Sequence, residues 1–180
     1  MTNWGKASSE LKLLAAVSRA DLTAVASMLQ SGVADPAAQE NAAIVEAAAL
    51  GHANMVKLLL SDSRVNAAAR DSAAIQWAAR NNNAHVVQIL LERPEVDVSA
   101  NDNAALRWAV QNGCELVIAL LLRDKRVDPG ALKQEALGEA VAAQRWRIVT
   151  QLLAHRMARP HANDQALLMR SVASRDWRTG

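Results

Sequence analysis

The chain has 180 residues, enough for one domain or a compact pair, and its 20 Lys/Arg against 18 Asp/Glu leave a net charge of +2, which excludes recognition driven by a strong whole-chain field. Hydrophobic residues make up 51%, but Phe and Tyr are absent and much of the share is Ala, so the core must be thin and Leu-rich. The single cysteine, Cys114, excludes an internal disulfide, and no apolar run approaches the roughly 18 residues of a bilayer span. With no signal-peptide pattern at Met1–Lys6, these features predict a soluble, intracellular, cytoplasmic protein.

Read in chain order, the first predicted element pair sets a register that the rest of the chain repeats every 31 residues. Ala16, Val25, Met28 and Leu29 return as Ala47, Val56, Leu59 and Leu60, and again as Ala78, Val87, Leu90 and Leu91. They return once more as Ala109, Ile118, Leu121 and Leu122, and last as Ala140, Val149, Leu152 and Leu153. Asp35, Asn66, Asp97 and Asp128 close four of the units. The predicted units span about 8–38, 39–69, 70–100, 101–131 and 132–157, and together they make a repeat domain over 8–157.

Within a unit, Ala43, Ile44, Ala47 and Ala48 share one face of a first helix, and their small size lets neighbouring helices approach closely. Gly51, Asn82 and Gly113 mark the following turn, because Gly and Asn tolerate the left-handed conformation that ends a helix. A second helix follows, with Met55, Val56, Leu59 and Leu60 in one unit and Val86, Val87, Leu90 and Leu91 in the next. Polar connectors such as Ser61–Asn66 and Glu92–Asp97 end each unit, with Pro94 and Pro129 as breakers. Helices shorter than about 12–15 residues are marginal alone in water, so stacking between units must bury their apolar faces. The predicted fold class is all-α: a solenoid of about five helix-turn-helix repeats with a C-terminal capping helix.

The segments Gly51–Leu60 and Gly113–Leu122 resemble the second helix of an ankyrin repeat, and Ala104–Ala109 resembles the first helix of divergent members of that family. The resemblance covers roughly residues 10–157 and is strongest over 39–131; a tetratricopeptide reading needs 34 residues and a different aromatic pattern. No unit carries Thr-Pro-Leu-His: Ala42–Val45, Ala73–Gln76, Ala104–Arg107 and Glu135–Gly138 stand in its place. The period is also shorter than the usual 33, so the resemblance implies a β-hairpin finger trimmed to a loop.

The resemblance further implies a concave face built from the inter-unit loops and the exposed side of each first helix. Carried onto this chain, the loop positions are Arg70, Asp71, Asn101 and Asp102, with Lys133 in the following unit. The exposed helix ends are Arg80, Asn81, Gln111 and Asn112 in the central units, with Ala49, Leu50, Ala142 and Ala143 in the flanking ones. Trp77 and Trp108 hold one position in adjacent units, where the flanking units have Glu46 and Glu139. Two indoles in register are expected either to fill space between units or to form a binding ladder, since Trp is enriched at interface hot spots. The acidic occupants show that this position is not deeply buried in every unit.

The sequence offers no catalytic grouping, and the expectation is that the chain is not an enzyme. Cys114 opens a helix, where a dipole can lower a thiol pKa, but no base stands near it in sequence; it reads as a small residue in the place of His52. His52, His85, His155 and His161 form no i, i+4 pair and have no cysteine pair beside them, so no metal is expected. There is no Gly-rich phosphate loop and no Gly-flanked Ser nucleophile, and Glu92 and Glu95 lie on a connector; no cofactor is expected.

The segment 158–180 differs in character. Pro160 breaks the chain, Asn163 or Asp164 can cap a last helix, and Arg170, Arg175 and Arg178 join Arg145, Arg147, Arg156 and Arg159 in a basic region. It is expected to cap the last repeat; the alternative is a patch for an acidic or nucleic-acid surface, although aromatic residues there are limited to Trp146 and Trp177. The functional expectation is a protein–protein interaction module, acting as scaffold, adaptor or assembly subunit, or as an inhibitor or immunity-type binder of one enzyme.

Overall fold

The computed structural model describes residues 3–127 and 135–154, and among them it contains ten helices and no strand. Asp128, Lys133 and the capping segment 158–180 lie outside the described residues. The helices come in five pairs: α1 (Asn3–Ser18) with α2 (Leu22–Gln30), α3 (Ala38–Ala49) with α4 (Ala53–Leu60), α5 (Ala69–Arg80) with α6 (Ala84–Leu91), α7 (Ala100–Asn112) with α8 (Glu115–Arg123), and α9 (Glu135–Ala142) with α10 (Trp146–Ala154).

First helices stack on first helices along the chain, and second helices on second helices. The first-helix stack is the tighter of the two in the central units. Composition explains this. Ala47, Ala48, Ala78, Ala79 and Ala109 are fully buried, and a methyl group keeps two helix backbones close. The second helices supply the bulk: Met55, Val56 and Leu59, then Val86, Val87 and Leu90, then Val117, Ile118 and Leu121, all buried in one continuous core.

The turns inside the units share one device. The residues between first and second helices, Ala20, Gly51, Asn82, Gly113 and Gln144, all have positive φ and lie 31 apart. In each case the chain reverses on a single left-handed residue, so the second helix can fold back on the first.

Each first helix from α3 to α7 begins in an uncommon way. Gln39, Glu40 and Asn41, then Arg70, Asp71 and Ser72, then Asn101, Asp102 and Asn103, are left-handed at φ of 52 to 63°, and right-handed helix starts only after them. A left-handed turn costs roughly 1–2 kcal/mol per residue, least for Asn and Asp. Side chains offset part of this. Asn41 Oδ1 accepts the Asn66 backbone N–H at 2.7 Å, and Ser72 Oγ accepts that of Asp97 at 2.8 Å, which ties each turn to the next connector. Asn103 is buried at the equivalent place, with its Oδ1 unpaired among the described residues. Gln76 Nε2 covers the Asp71 carbonyl at 2.6 Å, and Arg107 covers that of Asn101 at 3.1 Å. A left-handed turn thus stands where the resemblance implies a trimmed hairpin.

The connectors are closed by Asp35, Asn66 and Asp97, whose Oδ1 atoms accept the N–H two residues on at 2.9–3.0 Å. This local turn explains why Asp or Asn recurs there. Arg126 adds a strut between units by donating to the carbonyls of Leu91, Arg93 and Val96 at 2.8, 3.0 and 2.9 Å. The same guanidinium, hydrogen-bonded to Asp124, holds that carboxyl below the usual carboxylate range.

Candidate protein-binding surface

One stripe runs along the exposed side of the first helices, built by a contact between residues 28 apart. A side chain near the end of one first helix reaches the mid-helix position of the next. Ser18 Oγ donates to Glu46 Oε1 at 3.3 Å, and Gln111 Nε2 donates to Glu139 Oε1 at 3.3 Å. Between these polar rungs, Arg80 takes the same part toward Trp108, with its guanidinium carbon 5.5 Å from the ring centroid and 5.0 Å from that of Trp77. The two indoles meet across the unit boundary at 5.7 Å between centroids and a 48° tilt. Trp108 is half-buried, while Trp77 remains 37% exposed. The rings therefore fill space between units, and Trp77 also presents surface to solvent.

The other sequence-predicted residues fall elsewhere. Arg70, Asp71, Asn101 and Asp102 are exposed in the left-handed turns at the opposite ends of α5 and α7, where Arg70 Nε also pairs with Glu40 at 3.2 Å. Asn81 and Asn112 are exposed but engaged with helix-end carbonyls, those of Ala49 at 2.8 Å and Trp108 at 2.9 Å. The structure thus gathers Glu46, Trp77, Arg80, Trp108 and Gln111 into one stripe and separates the turn residues from it.

A second ladder links the units, and sequence reasoning missed it. His52, Asn83, Cys114 and Arg145 hold one register position at the start of the second helices, and each side chain turns back to the carbonyl end of the preceding first helix. His52 Nε2 lies 3.3 Å from the Ser18 carbonyl, and Asn83 Nδ2 donates to Ala48 and Ala49, both at 2.9 Å. Arg145 donates to Val110 and Gln111, both at 2.6 Å, whereas the Cys114 thiol reaches the Arg80 carbonyl at only 4.0 Å. Helix C-termini leave carbonyls without intrahelical partners, and these donors satisfy them from the next unit. The 31-residue register carries the signal, since three of the four residues there are strong donors. Burial pushes the Cys114 thiol up, against smaller opposing effects of Asn82 and Arg145, so the helix start does not make it a reactive thiolate.

Cys114 is therefore the weak rung, and its neighbour explains why. A Cβ on Gly51 would stand 2.7 Å from Asn83 Oδ1, so an Asn donor fits closely against a glycine at the turn of the unit before it; His52, which faces Ala20 there, reaches its carbonyl only at 3.3 Å. Ahead of Cys114 the turn residue is Asn82, which already carries a Cβ. Cys114→Asn alone is expected to be neutral or destabilising. The double variant Asn82→Gly/Cys114→Asn is expected to gain about 1 kcal/mol in urea unfolding, the value of the added carbonyl contacts. Equal stability of the single and double variants would remove this account of the ladder.

Two further observations bear on what the surface can do. Among the described residues there is no group of three or more metal-ligating side chains, and no helix is long and apolar enough to cross a membrane. The model for ankyrin repeats matches residues 12–102 and 44–133, with three copies. The chain belongs to the ankyrin repeat family. No curated protein matches it. Ankyrin repeats are generally protein–protein interaction modules, and this chain has their helix-turn-helix solenoid with left-handed turns in the connections.

Proposed function

We infer that this ankyrin repeat chain is an adaptor, scaffold or assembly subunit that holds a partner protein on its first-helix face, centred on Trp77, Arg80 and Trp108. The tighter spacing of the first helices would make this the concave side of the solenoid. The observation that carries the reading is the indole pair, ordered by Arg80 and exposed at Trp77. Trp is the residue most enriched at binding hot spots, and a ring already ordered by a neighbour loses little freedom on binding. Stability alone does not call for an indole there, because Glu46 and Glu139 serve the same position in the flanking units.

The test is affinity capture from native lysate, followed by titration of the recovered partner against single alanine variants. Trp77→Ala and Trp108→Ala are each expected to weaken binding tenfold or more, equivalent to about 1.4 kcal/mol. Loss of thermal stability at both sites with unchanged affinity would refute the reading and leave the pair as packing.

A further inference from the structure

Arg80 is held in place but not neutralised. Arg64, Arg70, Arg126 and Arg147 each face a carboxylate at 2.6 to 3.5 Å, yet among the described residues no carboxylate pairs with Arg80, which is exposed. What fixes it is the pair of indole faces at 5.0 and 5.5 Å. A guanidinium lying on aromatic faces keeps its N–H edge free, and that edge matches a carboxylate through two parallel hydrogen bonds. The usual cost of ordering a long, flexible side chain has largely been met before any ligand arrives.

The rest of the stripe narrows the ligand. One unit to either side of the indole pair, the same register position holds Glu46 and Glu139, so the sequence of groups along the face is acid, indole, guanidinium, indole, acid. A ligand with one negative group at the centre meets attraction there and apolar surface beside it. A ligand with negative charge along its whole length meets repulsion at both ends, which disfavours nucleic acid and polyacidic tails. The exposed part of Trp77 supplies an apolar contact adjoining the charged one.

We propose that Arg80, held over the rings of Trp77 and Trp108, is the carboxylate-recognition point of the interaction face, and that its occupant is a segment of a partner protein bearing a single Asp or Glu next to a large apolar side chain. The proposal rests on the preceding reading of the face and deepens it by naming the chemistry read there.

The experiment is a selection of random linear peptides on the full chain, followed by affinity measurements on synthetic copies. Selected peptides are expected to share one acidic residue beside Leu or an aromatic. Replacing that acid with its amide is expected to cost about tenfold in Kd, as is Arg80→Gln, with little further loss when the two are combined. Arg80→Lys is expected to recover only part, because an ammonium keeps the charge without the planar fork. Peptides that lose binding to Trp77→Ala but carry no acid, or that bind Arg80→Gln unchanged, would overturn the carboxylate proposal and leave the interaction face standing. Selected peptides indifferent to both Trp77→Ala and Trp108→Ala would overturn both. Single-stranded oligonucleotide binding lost in Arg80→Gln, with no acidic peptide recovered, would reassign the site to a polyanion.

Discussion

Leu90→Ala is expected to lower the unfolding free energy by about 3 kcal/mol, within the range of about 2–5 kcal/mol for a buried Leu truncated to Ala. Leu90 is 0% exposed, and its helix α6 packs against α5 within its own unit and against α4 and α8 on either side. In a solenoid each unit is held only by its neighbours, so a cavity in the central unit weakens two interfaces at once. Leu116→Ala is the control. Leu116 is 68% exposed on α8, and its truncation is expected to stay within about 0.5 kcal/mol. Urea unfolding followed by circular dichroism measures both variants. A Leu90→Ala cost as small as that of Leu116→Ala would mean that the second helices do not form the continuous core described above.

That contrast was legible in the sequence, because Leu29, Leu60, Leu91, Leu122 and Leu153 and the residues before them repeat at a fixed period, and burial follows periodicity. The left-handed reversal at Gly51, Asn82 and Gly113 was legible for a similar reason, since Gly and Asn announce positive φ. Ala20 and Gln144 adopt the same conformation without such a signal; only their register with the other three reveals it. The left-handed turns over 39–41, 70–72 and 101–103 were not legible. Their stability comes from contacts such as Asn41 with Asn66 and Ser72 with Asp97, which join residues 25 apart and leave no local pattern. The candidate site divides in the same way. The pairing of Trp77 and Trp108 could be read from their common register, but the placing of Arg80 over both rings needed the packing of α5 against α7. The ladder of His52, Asn83, Cys114 and Arg145 shows why register is informative even where residue identity is not: the four side chains differ in chemistry and perform one task, donating to the carbonyl end of the previous helix.

Gly51→Ala is expected to cost about 3 kcal/mol, whereas Gly32→Ala is expected to cost only about 1 kcal/mol, although both glycines lie in the left-handed region at φ of +78 and +64°. The backbone penalty of adding a Cβ at positive φ is common to both and amounts to roughly 1–2 kcal/mol. The surroundings separate them. Nothing lies within 4 Å of a Cβ on Gly32, but a Cβ on Gly51 would stand 2.7 Å from Asn83 Oδ1 and 2.9 Å from its Cγ. Asn83 must then swing away, and its two hydrogen bonds to the Ala48 and Ala49 carbonyls are lost, at about 1 kcal/mol each. The excess cost at Gly51 is therefore a property of the next unit. In an Asn83→Ala background the donor is already gone and the space is open, so Gly51→Ala is expected to fall to the cost of Gly32→Ala. The double-mutant cycle between positions 51 and 83 should return a coupling of about 2 kcal/mol. A coupling near zero would mean that Asn83 does not cap the preceding helix. The link that carries stability from one unit to the next would then lie in the apolar contacts alone.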